Sequence, residues 1–470
     1  MGTGTTRGEI DPYLRMELRD TVFKNVSGFH TFFPTIDEAQ WKCAVSCLKE
    51  CTCPYENEHF ESWPKPASQK DTLDWFMSFN SHLDAGPTRF YTSGNKGLSD
   101  SDAIRKGDVF LSEIIEDDSA NVLFQPGTTT FSWLQPRVIG ELKEASGQDC
   151  NSGTIVQLAS YAREIFAAQV CRRFVHGFTV CGDAFRAYLF DRAGISISEK
   201  FRINKNKKTL KLFAHILLGY ARMNPQNLGF DSNYKTADGK PFVPCGGEIP
   251  RQLVFDGYRF NLTAKLFQRK AIVCRATLCW LATDEEGKQC VVKDMWRSKL
   301  RESEGELLSR AKVNGWDELS YKQHWIVCID AAEDTTLNIR KGLSYDSAKE
   351  ADITEQRIDR LYCLKSVISN TTSNTTGSDL SQSSTRNSIN SKRQPEDQGG
   401  SASKRLKSET SKNITERSRV HEIVVTCKLG RPIYKFRSPR ELIQAFRGAI
   451  ECMFLWSCFI LFFCFIVNTF

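Results

Sequence analysis

Between residues 96 and 230 short apolar runs alternate with one long amphipathic helix, an order that narrows the fold more than any other feature of the chain. Asp108-Val109-Phe110-Leu111 and Val138-Ile139-Gly140-Glu141-Leu142-Lys143 are β-type runs with a charge at one end, the pattern of strands that enter a site. Residues 157–170 place Leu158, Tyr161, Ile165 and Phe166 on one helical stripe. Residues 173–180 and 184–190 then predict a hairpin around Cys181-Gly182-Asp183. Strand, strand, helix, strand, strand implies an α+β fold.

The rest of the chain divides by composition. Residues 1–95 predict a mainly helical N-terminal region, 96–230 an α/β domain, and 250–365 a second strand-rich unit broken by a charged helix over about 297–312. Residues 366–417 are rich in Ser, Thr and Asn and nearly free of large apolar side chains. Such a segment cannot bury enough surface to offset chain entropy and is expected to be disordered. Within it, Lys392-Arg393 and Lys404-Arg405-Leu406-Lys407 match a bipartite nuclear import pattern, with a solvated charge cluster as the alternative. Residues 418–450 return to amphipathic pattern. Residues 452–468 are almost uninterrupted hydrophobe, a possible transmembrane segment and C-terminal hydrophobic helix.

Charge and cysteine usage exclude little. A formal net charge of +7 over 470 residues is too mild to assign a nucleic-acid partner. The 17 cysteines are scattered, and residues 1–20 hold no apolar run of the signal-peptide kind, so reduced thiols in the nucleus or cytoplasm are expected. Cys43, Cys47 and Cys51 recur every four residues with Cys53 beyond, which reads as a buried helical stripe rather than a zinc knuckle, because no paired C-x2-C spacing accompanies them.

Two groups of segments carry a family resemblance. The first is Gly140-Glu141-Leu142-Lys143, Gln157-Leu158-Ala159-Ser160-Tyr161-Ala162-Arg163, Arg173-Phe174-Val175-His176-Gly177-Phe178 and Phe190-Asp191-Arg192-Ala193-Gly194. The second is Ile272-Val273-Cys274-Arg275-Ala276-Thr277-Leu278-Cys279-Trp280, Val291-Val292-Lys293-Asp294-Met295-Trp296 and Arg301-Glu302-Ser303-Glu304-Gly305-Glu306-Leu307-Leu308. In this order they resemble the fungal-type protein kinase family. The resemblance implies a partial protein-kinase-like N-lobe from near Ile272, ATP and Mg as cofactors, and a protein substrate or binding partner. It places Lys293 on the strand whose lysine binds ATP phosphates and makes Glu304 its helix partner, with Glu306 as fallback. At the phosphate loop, Arg275-Ala276-Thr277 carries alanine where the family bears glycine. Further on, His421-Glu422-Ile423-Val424-Val425-Thr426 resembles the strand before the hinge, and Ser438-Pro439-Arg440-Glu441 the start of the next helix, with Ser438 as N-cap.

After Ile450 the family would continue to an H-R-D-type loop and a metal-binding aspartate. Here Glu451-Cys452-Met453-Phe454-Leu455-Trp456 and the hydrophobic run follow instead. The expectation is therefore a kinase-like chain, truncated before its catalytic loop and inactive in phosphoryl transfer, with no catalytic residue to name. The run itself reads as a membrane anchor or, the preferred reading, as an unspliced or frameshifted end of the gene. Two other functions stay open. One is a pseudokinase or binding module. The other is a metal-dependent nuclease acting on nucleic acid: Asp108, Glu141 and Lys143, with Gln157 and Tyr161 on the next helix, resemble the D…E-x-K arrangement of a restriction-endonuclease-like core, in which two carboxylates hold a metal and the lysine stabilises charge on phosphate.

Overall fold

The structure is a computed structural model and describes residues 7–35, 63–64, 68–80, 83, 88–94, 96–101, 105–114, 131–203, 205–244, 248–313, 320–354, 414–427 and 435–456. The cysteine stripe at 43–53, the basic clusters at 392–407 and nearly all of the Ser/Thr/Asn-rich stretch lie outside the described residues.

The chain runs α1 (Arg7–Leu18), β1 (Val22–Val26), α2 (Gln69–Phe79), β2 (Thr88–Tyr91), β3 (Val109–Glu113), β4 (Val138–Lys143), α3 (Ser152–Ala168), β5 (Val175–Cys181), β6 (Ala184–Asp191), β7 (Gly194–Ser198), β8 (Phe201–Arg202) and α4 (Lys207–Arg222). It continues through β9 (Tyr234–Lys235), β10 (Gln252–Phe255), β11 (Tyr258–Gln268), β12 (Leu278–Thr283), β13 (Gln289–Ser298), α5 (Glu304–Val313), β14 (Tyr321–Ile326), β15 (Cys328–Ile329), β16 (Ala332–Glu333), α6 (Thr336–Ile339), β17 (Lys349–Glu350), β18 (Arg419–Thr426) and α7 (Pro439–Trp456). The mixed α+β class follows directly.

The front sheet is ordered β17-β1-β7-β6-β5-β4-β3-β2, with β8 beside β6. Strands β2, β3 and β4 are antiparallel, whereas β4 and β5 are parallel. A parallel neighbour requires a crossover, and α3 supplies it. Every residue of β5, β6 and β7 is buried, because helices cover both faces of these strands. Leu14 and Leu18 of α1 pack with Ile155, Leu158 and Ile165 of α3 on one face. Trp75, Phe76 and Phe79 of α2 pack with Phe213 and Leu217 of α4 on the other. Strand β1 lies between β7 and β17, so residues 22–26 belong to this sheet.

The second sheet is ordered β14-β18-β13-β12-β11-β10-β9. Side chains alternate across it. Leu278, Trp280 and Ala282 of β12, with Val292 and Trp296 of β13 and Ile423 and Val425 of β18, join the hydrophobic cluster that also holds Phe76 and Phe178 of the front unit. The opposite face carries α5, where Met295, Leu308, Tyr321 and Val424 form a small cluster of their own.

Two local expectations change, and one at the C-terminus holds. The charged helix expected over 297–312 begins only at Glu304, because residues 291–298 pair along their whole length with β18. The start expected near Ile272 falls in the connection between β11 and β12, in a sheet that takes in strands from Tyr234 onward. At the C-terminus, Ser438 Oγ accepts the Glu441 N–H at 3.2 Å and the Glu441 carboxylate accepts the Arg437 N–H at 2.6 Å, so α7 starts at the predicted cap. Only its last residues enter the hydrophobic run, whose residues 457–468 lie outside the described residues; among the described residues no helix is long and apolar enough to cross a membrane.

Candidate functional site

Lys293 sits in β13 opposite Cys279 of β12 and Val424 of β18. Its neighbour Asp294 points to the front sheet, so by strand alternation Lys293 points to the face that carries α5. There its ammonium donates to both oxygens of Glu304, at 2.7 and 2.8 Å. The lysine is buried, at 7% exposure. The fallback Glu306 is exposed on the outer side of α5.

Glu304 reaches the lysine because α5 approaches the sheet closely. Gly305 makes this approach possible: a Cβ at that position would stand 2.0 Å from the His324 ring on β14. The first turn of α5 is also tied down. Ser303 donates to buried Glu422 of β18, accepts the Glu306 N–H at 3.2 Å, and Glu422 pairs with Arg297 at 2.8 Å. The loop between β11 and β12 contains no glycine. Ala276 in it adopts φ +46°, a left-handed conformation that glycine takes without steric cost.

Asp108, Glu141 and Lys143 come together at the end of β4. Lys143 Nζ lies 2.5 Å from Glu141 Oε1 and donates to Gln157 Oε1 at 3.0 Å, and Gln157 in turn donates to the Tyr161 hydroxyl at 3.0 Å. Asp108 accepts the Leu142 N–H at 3.1 Å. Glu141 is fully buried; desolvation first, and the Asp108 charge second, push its carboxyl up to about 8. Asp108 is raised as well, chiefly by burial. Two carboxyls thus resist ionisation side by side, with Lys143 against Glu141.

A third cluster joins the two sheets, and sequence reasoning missed it. His421 of β18 contacts Asp294 at 2.7 Å through Nε2 and Asp334 at 2.9 Å through Nδ1. Arg173 donates twice to Asp334, at 2.8 and 2.5 Å, and Tyr234 donates to Asp294 at 2.6 Å. The Trp296 ring stacks on the imidazole, centroids 4.6 Å apart. Burial lowers the His421 pKa, but the two carboxylates outweigh it and drive the ring up to about 10, so it is an imidazolium. Asp231 lies beside Asp294 and His421 and is raised by burial. These three have metal-like spacing. However, both imidazole nitrogens are committed, and His421 with Arg173 already balances Asp294 and Asp334. The cluster therefore reads as an electrostatic bolt between the sheets. Its members lie 161 and 127 residues apart along the chain, and no local pattern announces them.

No curated protein matches the chain, and neither does any solved structure. A family model described as fungal protein kinase matches residues 114–455, which takes in β4 through β18, the Lys293–Glu304 pair and almost all of α7. With more than half of its length matched, this chain belongs to the fungal protein kinase family.

Proposed function

We propose that the second sheet binds an ATP-type nucleotide, with Lys293 on the phosphate oxygens and Glu304 fixing the direction of the lysine. The observation that carries this reading is the Lys293–Glu304 pair, bridging β13 and α5 with both oxygens engaged. Two features support it. The strand order β11-β12-β13-β18-β14 puts the lysine strand at the centre of the sheet, with α5 inserted between β13 and β14 in sequence, and membership of the family adds to it. A lysine is suited to this task because its compact charge on a long stem reaches phosphate while a carboxylate holds it. Asp294, next along β13, faces away, so this strand supplies the lysine alone and Mg2+ would arrive held by the phosphates.

Phosphoryl transfer needs more: an aspartate to take the substrate proton and a carboxylate or amide to hold metal. Residues 427–470, which follow the β18 strand, contain no aspartate. The proposal is accordingly confined to nucleotide binding by the second sheet. Titration of the full chain with Mg-ATP tests it. Binding is expected, weakened at least about tenfold by Lys293→Met, the loss of one charged hydrogen-bonding partner. No binding at millimolar nucleotide, or equal affinity in the variant, refutes it.

A second reading concerns the front sheet. The Asp108–Glu141–Lys143 cluster, at the end of an antiparallel β2-β3-β4 group followed by a crossover helix and parallel β5, favours a restriction-endonuclease-like core that binds a divalent metal and a nucleic-acid phosphate. Lys143 would stabilise charge on the phosphate, and Gln157 holds Lys143 in place.

A further inference from the structure

The loop between β11 and β12 lies on one side of the second sheet and Lys293 on the other. In β12, Leu278 is cross-strand from Asp294 and Cys279 from Lys293. Leu278 belongs to the cluster shared with the front sheet, and Ala276 lines a small cavity with Asp231, Asp294 and His421. The loop thus leaves the sheet toward the front unit.

There it is held at several points along its length. Ile272 is fully buried in the cluster of Leu14, Leu18 and Ile155. One oxygen of Glu17, on α1, accepts both the Ile272 and the Val273 N–H, at 2.6 and 2.7 Å. Arg192, between β6 and β7, donates to the Ala271 carbonyl at 2.9 Å, its guanidinium 3.8 Å from the centre of the Phe166 ring. Gln268 donates to the carbonyls of Phe166 and Ala167 at the end of α3, at 3.2 and 2.9 Å. These backbone N–H groups would serve equally well as donors to phosphate; here a carboxylate occupies two of them.

We propose that the front sheet restrains nucleotide binding by an internal anion: Glu17 occupies the N–H groups of Ile272 and Val273 and keeps the β11–β12 loop away from the Lys293 face. This rests on the nucleotide reading of Lys293. A nucleotide whose phosphates need that loop binds only the fraction of molecules in which it has been released, so its apparent affinity falls by that fraction. By the same linkage, a bound nucleotide loosens the contact between α1 and the loop.

The test uses the full chain with Glu17→Ala, the milder Glu17→Gln, and each combined with Lys293→Met, reading two quantities: hydrogen exchange of the Ile272 and Val273 amides, and affinity for Mg-ATP. Glu17→Ala is expected to speed exchange at both amides and to tighten binding by about tenfold, a change the release of a restrained loop would give. Glu17→Gln should fall between, since it keeps one acceptor without the charge, and Lys293→Met should abolish the gain. Unchanged exchange in Glu17→Ala overturns the restraint, and faster exchange with unchanged or weaker binding overturns its regulatory role. Faster exchange with no nucleotide binding in any variant, wild type included, instead sinks the Lys293 reading, and regulation of that site falls with it while the loop contact stands.

Discussion

Replacing His421 with alanine removes the centre of the bolt between the sheets. The imidazolium lies between Asp294 at 2.7 Å and Asp334 at 2.9 Å, all three buried. Removing one member of a buried charge group costs about 3–5 kcal/mol, because the partners remain buried with their charge uncompensated. Asp334 keeps Arg173 and Asp294 keeps Tyr234, which puts the expected loss at the lower end, about 3 kcal/mol. The pH dependence is an independent check. The folded pKa, about 10, lies above the ordinary 6.5. The stabilisation from this proton is therefore complete below about pH 6.5 and is lost as pH rises through about 10. Urea unfolding followed by tryptophan fluorescence, to which Trp296 stacked on the ring contributes, should show the wild type about 3 kcal/mol more stable at pH 7, and the gap should narrow progressively as pH rises from there toward about 10. A gap under about 0.5 kcal/mol at pH 7, the size of an ordinary surface change, or one that stays constant to pH 10.5, would falsify this account of the cluster.

Gly305→Ala places a methyl group 2.0 Å from the His324 ring. It should cost about 1–3 kcal/mol by overpacking and, by lifting α5 off β14, lower Mg-ATP affinity as Lys293→Met does. Loss of stability with nucleotide affinity intact would separate α5 placement from the Lys293–Glu304 pair. In the front sheet, Mg2+- or Mn2+-dependent cleavage of DNA or RNA by the full chain should disappear in Asp108→Ala and in Glu141→Gln while Mg-ATP binding persists. Absence of metal-dependent cleavage of any nucleic acid would leave Lys143 a structural residue.

Some of this protein is legible in its residues alone. The strand Val138–Lys143 matches its sequence run residue for residue, because a central strand covered on both faces reads as a short, mainly apolar run. The hairpin around Cys181-Gly182-Asp183 was equally plain, its turn being local and Gly182 adopting φ +61°. The Lys293–Glu304 pair, by contrast, was implied by the family resemblance and not by its spacing, since Lys and Glu are ordinary on a surface strand and a solvated helix; the structure brings the two together from consecutive elements.

Other features depend on partners distant in sequence. Residues 297–298 look helical among their charges, yet β18, more than a hundred residues later, draws them into a strand. Ile272-Val273 has the apolar character of a strand but is a loop, apolar because it docks on α1 and α3 of the front unit. Which face of the second sheet is covered, and so which side of Lys293 the loop occupies, is set by that docking. Likewise His421 becomes an imidazolium only where Asp294 and Asp334 converge on it. Period and turn chemistry act over a few residues and specify the elements; burial and charge compensation act across the whole chain and were decided only by tertiary structure.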